Sequence, residues 1–110
     1  MKRLNENLEN RNMINKGGYI YILTNANNNV LYTGVTSDLG KRIKEHQTGK
    51  YSNSFTGRYN VVKLVYYEKF MSIEDAIYRE KQIKAGSRKG KIELINRLNP
   101  EWKNIEKEIC

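Results

Sequence analysis

The sequence predicts an α/β (α+β) domain, a small and largely antiparallel sheet with helices packed on it. Three observations lead there. G18-Y-I-Y-I-L-T24 and V30-L-Y-T-G-V35 alternate aromatic and aliphatic residues around an Asn-rich turn, the pattern of a hairpin. V61-V-K-L-V-Y-Y-E68 adds a third stretch rich in β-branched and aromatic residues. Between and after these strands, apolar residues recur at helical spacing behind Ser and Asp caps. The 110 residues allow one modest core, and no apolar run approaches the ~20 residues of a membrane span.

Residues 1–16, MKRLNENLENRNMINK, are too polar for a signal peptide and read as a flexible leader. The domain is expected over 17–104 and a short tail over 105–110. N25-A-N-N-N29 reads as a turn, because Asn tolerates left-handed backbone and bonds its own main chain. Gly34 inside the return strand suggests a bulge or the close approach of another backbone. Ser37 is read as the N-cap of a helix running to about Thr48, with Asp38 just inside, where negative charge suits the helix dipole. Gly49 ends that helix, and 49–58 reads as a polar loop. Ser72 caps a second helix with Glu74 and Asp75 in its first turn, ended by Gly86. Ser87 caps a third from Arg88 to about Leu98, closed by Asn99-Pro100.

Twenty Lys and Arg against twelve Asp and Glu give a net charge of +8 and a sequence pI near 9.6. Such an excess favours polyanions, nucleic acid above all, with solubility alone as the plainer explanation. A membrane surface fits less well, since no basic amphipathic segment carries Trp or Phe anchors. The only cysteine is Cys110, which leaves no disulfide framework and no Cys-based metal site, so a cytoplasmic location is expected.

Two charged positions stand out. Glu80 falls in the middle of a helical stripe formed by Ile73, Ala76, Ile77 and Ile83, where a carboxylate is costly unless it meets a cation or a metal. Pairing with Arg79 or Lys84 on the same helix would also satisfy it. Arg42 and His46 lie four apart, neighbours on the helix whose inner face is marked by Leu39 and Ile43. His46 is the sole histidine, and its plainer reading is a packing residue. A carboxylate, a guanidinium, an imidazole and several strand phenols form a set that phosphodiester cleavage needs. A carboxylate holds a hard divalent cation, a cation neutralises the phosphorane oxygens, and a base activates water.

These residues stand in a familiar order. Tyr19-Ile20-Tyr21 and Tyr32-Thr33-Gly34 are two tyrosine motifs with ten residues between Tyr21 and Tyr32. Arg42 follows Gly34 by eight, and His46 comes one helical turn later. Glu80 sits in A76-I-Y-R-E-K-Q-I-K84, and L94-I-N-R-L-N-P-E-W102 closes the set. Over about residues 18–104 the chain resembles the GIY-YIG nuclease superfamily, in particular its small single-domain bacterial branch. The resemblance implies a three-stranded antiparallel sheet flanked by helices and one Mg²⁺ or Mn²⁺ ion held by Glu80. It implies catalytic roles for Tyr21, Tyr32, Arg42 and Glu80, one tyrosine deprotonating the attacking water and Arg42 contacting the scissile phosphate. His46 would assist the base or hold the phosphate. The polar residue that relatives carry near the end of the domain corresponds to Asn99 or Asn104. A phenol of pKa ≈ 10 is a poor base at neutral pH, so a motif tyrosine needs its pKa depressed. Tyr19 reads as packing or strand surface.

Lys81, Lys84, Arg88, Lys89, Lys91 and Arg97 cluster around Gly86, either as a solvated helix face or as a phosphate track leading to Glu80. The 49–59 loop adds Lys50 and Arg58, with Tyr51, Phe55 and Tyr59 able to stack on an unpaired base. No recognition helix is evident, so backbone and shape readout is expected. The function expected is a metal-dependent endonuclease hydrolysing DNA phosphodiester bonds in repair or processing, on branched or damaged structures, with RNA open to the same chemistry. Substrate targeting falls to the nuclease surface itself or to a partner protein. A non-catalytic nucleic-acid-binding module is the first alternative and a protein–protein adaptor the second.

Overall fold

The computed structural model describes residues 17–49 and 55–109. The leader expected over 1–16, together with Lys50, Tyr51 and Cys110, lies outside these residues. Three strands, β1 (Gly18–Thr24), β2 (Leu31–Thr36) and β3 (Lys63–Phe70), form one antiparallel sheet in the order β2-β1-β3. The helices are α1 (Leu39–Gln47), a four-residue turn α2 (Phe55–Arg58), α3 (Ile73–Ala85) and α4 (Arg88–Leu98). A 3₁₀ turn over Glu106–Glu108 follows. Among the described residues no helix is long and apolar enough to cross a membrane.

The hairpin turn works as its asparagines suggest. Asn25 Oδ1 accepts from the backbone N–H groups of Asn29 at 3.0 Å and Val30 at 3.2 Å. Asn28 adopts φ 59°, a conformation that Asn tolerates better than most residues. The β1–β2 register then runs without interruption from Tyr19↔Thr36 to Thr24↔Leu31. Gly34 therefore marks no bulge. The irregularity lies instead in the β1–β3 pairing, between Ile22 and Leu23, where the register skips Val65 of β3. The third strand starts at Lys63 rather than Val61, because the Val61 N–H is taken by the carbonyl of Thr56 at 2.9 Å.

Alternation along β1 divides the core between the two faces of the sheet. Ile20 and Ile22 pack with Ala76, Ile83 and Ile95 under α3 and α4. Tyr21 and Leu23 pack with Leu39, Ile43, Val61 and Leu64 on the α1 side. Burying each of the larger of these side chains contributes about 1.5–3 kcal/mol.

Asp38, and not Ser37, caps α1: its carboxylate accepts from the Lys41 N–H at 3.2 Å, while Thr36 Oγ1 accepts from the Asp38 N–H at 3.1 Å. Both residue types cap well, and the end of β2 at Thr36 sets which of them falls at the first turn. Ser72 and Ser87 cap α3 and α4 as expected, accepting from Asp75 and Gly90. The loop expected over 49–58 contains the α2 turn, which is too short to leave a periodic signal. Beyond α4, Asn99 Nδ2 donates to the carbonyls of Val65 and Lys103, and its Oδ1 accepts from the Lys103 N–H. The Ile105 N–H bonds the Leu64 carbonyl at 2.9 Å, and Ile105 and Ile109 pack against the α1-side core.

Candidate active site

The two tyrosine motifs meet because register places Tyr21 opposite Gly34 on one face of the hairpin, with Tyr32 two residues away on that face. Tyr21 is 0% exposed. Its ring lies over Gly34 so closely that a Cβ there would stand 2.4 Å from its Cζ and hydroxyl oxygen. Gly34 is thus needed for the approach of a side chain, not of the second backbone expected from the sequence. Tyr32, half-buried, has its ring centroid 6.3 Å from that of Tyr21.

His46 closes this cluster from α1. It is buried one turn after Arg42 and three residues after Ile43, with its ring 6.1 Å from Tyr21 and 5.8 Å from Tyr32, edge-on to both. Its Nε2 lies 3.4 Å from the Tyr21 hydroxyl and its Nδ1 2.9 Å from Thr56 Oγ1. Burial lowers the His46 pKa below its ordinary value, and the Arg42 charge lowers it further against the opposing pull of Glu45. The imidazole is therefore neutral near pH 7 and has a lone pair to offer.

Arg42 pairs with Glu45, Nε to Oε1 at 3.3 Å. It opens onto a polar depression of about 180 Å³ that Thr36, Ser37, Asp38 and Lys41 also line.

Glu80 lies on the buried side of α3, in step with Ala76 and Ile83, while Ile77, expected in the same stripe, is exposed. The structure selects one of the two pairings open to it: Lys84 Nζ lies 2.7 Å from Glu80 Oε2. Arg79 instead grips Glu68 with Nε and Nη2. Lys84 in turn walls a cleft of about 320 Å³ with Leu31, Tyr32, Thr33, Phe55 and Lys91. Lys84 thereby shares the cleft with a motif phenol of β2 and pairs outside that lining with the carboxylate of α3. Among the described residues no group of three or more His, Cys, Asp or Glu stands ready for a metal. Glu80 offers the hard oxygen that Mg²⁺ or Mn²⁺ prefers, which fits one ion whose remaining ligands are water and phosphate oxygens.

Phe55 and Tyr59, the described aromatic residues of the 49–59 loop, adjoin the cleft. Phe55 stacks on Tyr32 at 6.2 Å and meets Tyr59 at 4.9 Å, and Arg58 sits 5.9 Å above the Tyr59 ring. Phe55 and Tyr59 are 46% and 48% exposed. Lys81 and Lys89 are exposed on the α3–α4 face. Arg88 and Lys91 have structural duties as well, Nη2 donating to the Asn29 carbonyl at 2.9 Å and Nζ to the Gly86 carbonyl at 3.0 Å. Asn99 is committed to the clip on β3, and Asn104 accepts from the Glu106 N–H. Sequence reasoning missed Thr56, since a threonine in a polar loop gives no sign of burial. It also missed the Tyr66–Glu68–Arg79 network, whose members come from separate elements.

The sheet, the tyrosine motifs interlocked at Gly34 and the buried glutamate define a domain of the GIY-YIG catalytic class. The chain belongs to that family: the profile of the GIY-YIG catalytic domain matches residues 17–96. It is 43% identical over 83 residues to a UPF0213 protein of Syntrophus aciditrophicus, covering 76% of this chain and 93% of the relative. A UPF0213 protein of Clostridium perfringens is 43% identical over 91 residues, or 83% and 96% of the two chains. The solution NMR structure of the UPF0213 protein BH0048 from Bacillus halodurans is similar at a TM-score of 0.51 and 33% identity, covering 80% of this chain and 92% of that one. The family is a nuclease superfamily, and its domain implies nucleic-acid binding.

Proposed function

We propose that the protein is a divalent-metal-dependent endonuclease that hydrolyses DNA phosphodiester bonds, favouring sites where a base is unpaired. One observation carries this reading. Tyr32 and Lys84 line one cleft, and Lys84 also pairs with the buried Glu80 carboxylate, so a phenol and a cation tied to the carboxylate stand where a phosphate would lie. Tyr32 orients the attacking water from the cleft. Tyr21 and His46 form the proton-accepting pair, the phenol giving its proton to Nε2 while its oxygen takes the proton of the water. The water oxygen bonds to phosphorus as the P–O bond to the leaving oxygen breaks, and that oxygen takes a proton from solvent. Tyr21 is buried in the free protein, so a seated substrate has to part the edge formed by Tyr32 and Phe55. Arg42 and Lys84 neutralise the phosphate oxygens, and Phe55 and Tyr59 stack on an unpaired base. A divalent cation held by Glu80 would supply Lewis-acid stabilisation of the phosphate charge. Branched or damaged DNA supplies such unpaired bases.

The Glu80–Lys84 ion pair also favours a second reading, a nucleic-acid-binding module on the same scaffold, because it occupies the carboxylate that a metal requires. A cleavage screen of linear, branched and single-stranded DNA with Mg²⁺ and Mn²⁺ separates the two. Metal-dependent cutting that disappears in Glu80→Gln supports the nuclease. Salt-dependent binding with no cutting of any substrate supports the module.

A further inference from the structure

We propose that Thr56 is a positioning residue that holds His46 in the tautomer with its proton on Nδ1, leaving the Nε2 lone pair facing the Tyr21 hydroxyl. The catalytic consequence rests on the nuclease reading above, whereas the tautomer rests on geometry alone. Thr56 and His46 are both buried, 3% and 8% exposed, and the Oγ1 to Nδ1 distance of 2.9 Å is that of a well-formed hydrogen bond. A neutral imidazole carries one proton, so its two nitrogens must play opposite roles. Here one nitrogen meets an aliphatic hydroxyl and the other a phenol. A phenol is the more acidic hydroxyl and the weaker acceptor, because its ring withdraws electron density from the oxygen. The better match has Tyr21 O–H donating to Nε2 and Nδ1–H donating to Thr56 Oγ1.

This pairing suits the proton transfer. As the Tyr21 O–H bond breaks and the Nε2–H bond forms, the imidazolium keeps its Nδ1–H on Thr56, and the ring has no need to turn. Among the described residues, charged and titratable groups around His46 include Arg42 and Glu45 on its own helix, Tyr21 on β1 and Tyr32 on β2. None of these occupies Nδ1 in place of Thr56. Thr56 itself is fixed by the α2 turn, whose carbonyl at that residue accepts from the Val61 N–H at 2.9 Å. The turn also carries Phe55, which stacks on Tyr32, so one short segment touches both the proton-accepting pair and the cleft.

The test uses the fact that the chain has one histidine, so a single pair of imidazole ¹⁵N signals reports on it. The full chain is labelled at histidine and its tautomer read by NMR at pH 7.5 for wild type, Thr56→Val and Thr56→Ser. Wild type and Thr56→Ser are expected to carry the proton on Nδ1. Thr56→Val is expected to shift most of the population to the Nε2–H form. A wild-type ring protonated on Nε2 would overturn the proposal, whether or not Thr56→Val folds and whether or not any substrate is cut. On a substrate that wild type cleaves, Thr56→Val should lose about tenfold to a hundredfold in kcat with an altered pH–rate profile, and Thr56→Ser should recover most of it. A shifted tautomer with an unchanged rate and profile would refute the positioning role while leaving the nuclease reading intact.

Discussion

Gly34 and Tyr21 are interlocked across the hairpin, with room for the phenol only because residue 34 has no Cβ. Gly34→Ala should therefore force Tyr21 from its place, costing about 1–3 kcal/mol of stability through overpacking. A double-mutant cycle with Tyr21→Leu, followed by thermal denaturation, checks the cause. The two changes should be strongly non-additive, because the smaller side chain vacates the space that the new methyl needs. Simple additivity would mean that the alanine acts through the strand backbone instead.

The depressed pKa of His46 makes stability depend on pH in a defined direction. The folded protein resists protonating this ring, while the unfolded chain takes the proton at its ordinary value of 6.5. The unfolded state thus binds more protons between the folded pKa and 6.5, and stability falls as pH drops through 6.5 toward the lower folded value. Urea denaturation from pH 7.5 down to 5 should show this loss, and His46→Gln should flatten it over that window. An unchanged slope in the variant would assign the effect to other groups.

Glu68 is held by Arg79 and Tyr66 at the junction of β3 and α3. Burial alone would raise the Glu68 pKa, but the hydrogen bonds from Arg79 and Tyr66 and the charge of Arg79 together take it below its ordinary value. Tyr66 is pushed up to about 12, by burial first and then by Glu68. Arg79→Ala should cost about 1–2 kcal/mol, a partly screened value because both ion-pair partners keep some solvent contact. Arg79→Ala combined with Glu68→Gln should recover part of it, as no unpaired carboxylate is left behind. Chemical denaturation measures both.

Glu80→Gln is expected to lower cleavage by several orders of magnitude and stability by less than about 1 kcal/mol, since Lys84 is half-exposed and the pair is screened. DNA affinity measured without metal should stay within about threefold, roughly 0.65 kcal/mol. Cutting at the wild-type rate would remove Glu80 from the chemistry.

Lys81 and Lys89 test the phosphate track without disturbing the fold, whereas Arg88 also ties α4 to the hairpin turn through Asn29. Lys81→Ala with Lys89→Ala should leave the melting temperature unchanged. The slope of log affinity against log salt should become shallower by about 0.9 for each duplex-DNA phosphate that the variant no longer neutralises. An unaltered slope would place the nucleic acid on another face.

The sequence by itself determined the three strands, the three longer helices and most of their ends. Ser72, Ser87, Gly49 and Gly86 act through bonds and dihedrals within one or two turns, and the alternation of β1 assigns its own side chains to opposite faces. It also determined that Glu80 falls on an inward stripe and that the asparagines make the turn, because both follow from local periodicity and backbone chemistry. Tertiary structure alone decided the rest. Whether Ser37 or Asp38 caps α1 depended on where β2 stops pairing, and the start of β3 depended on a hydrogen bond from Val61 to Thr56. That Gly34 accommodates a phenol, that Lys84 rather than Arg79 holds Glu80, and that Thr56 reaches His46 all depend on how separate elements meet. Such meetings are set by strand register and helix docking, which act over distances that no local pattern in the chain records.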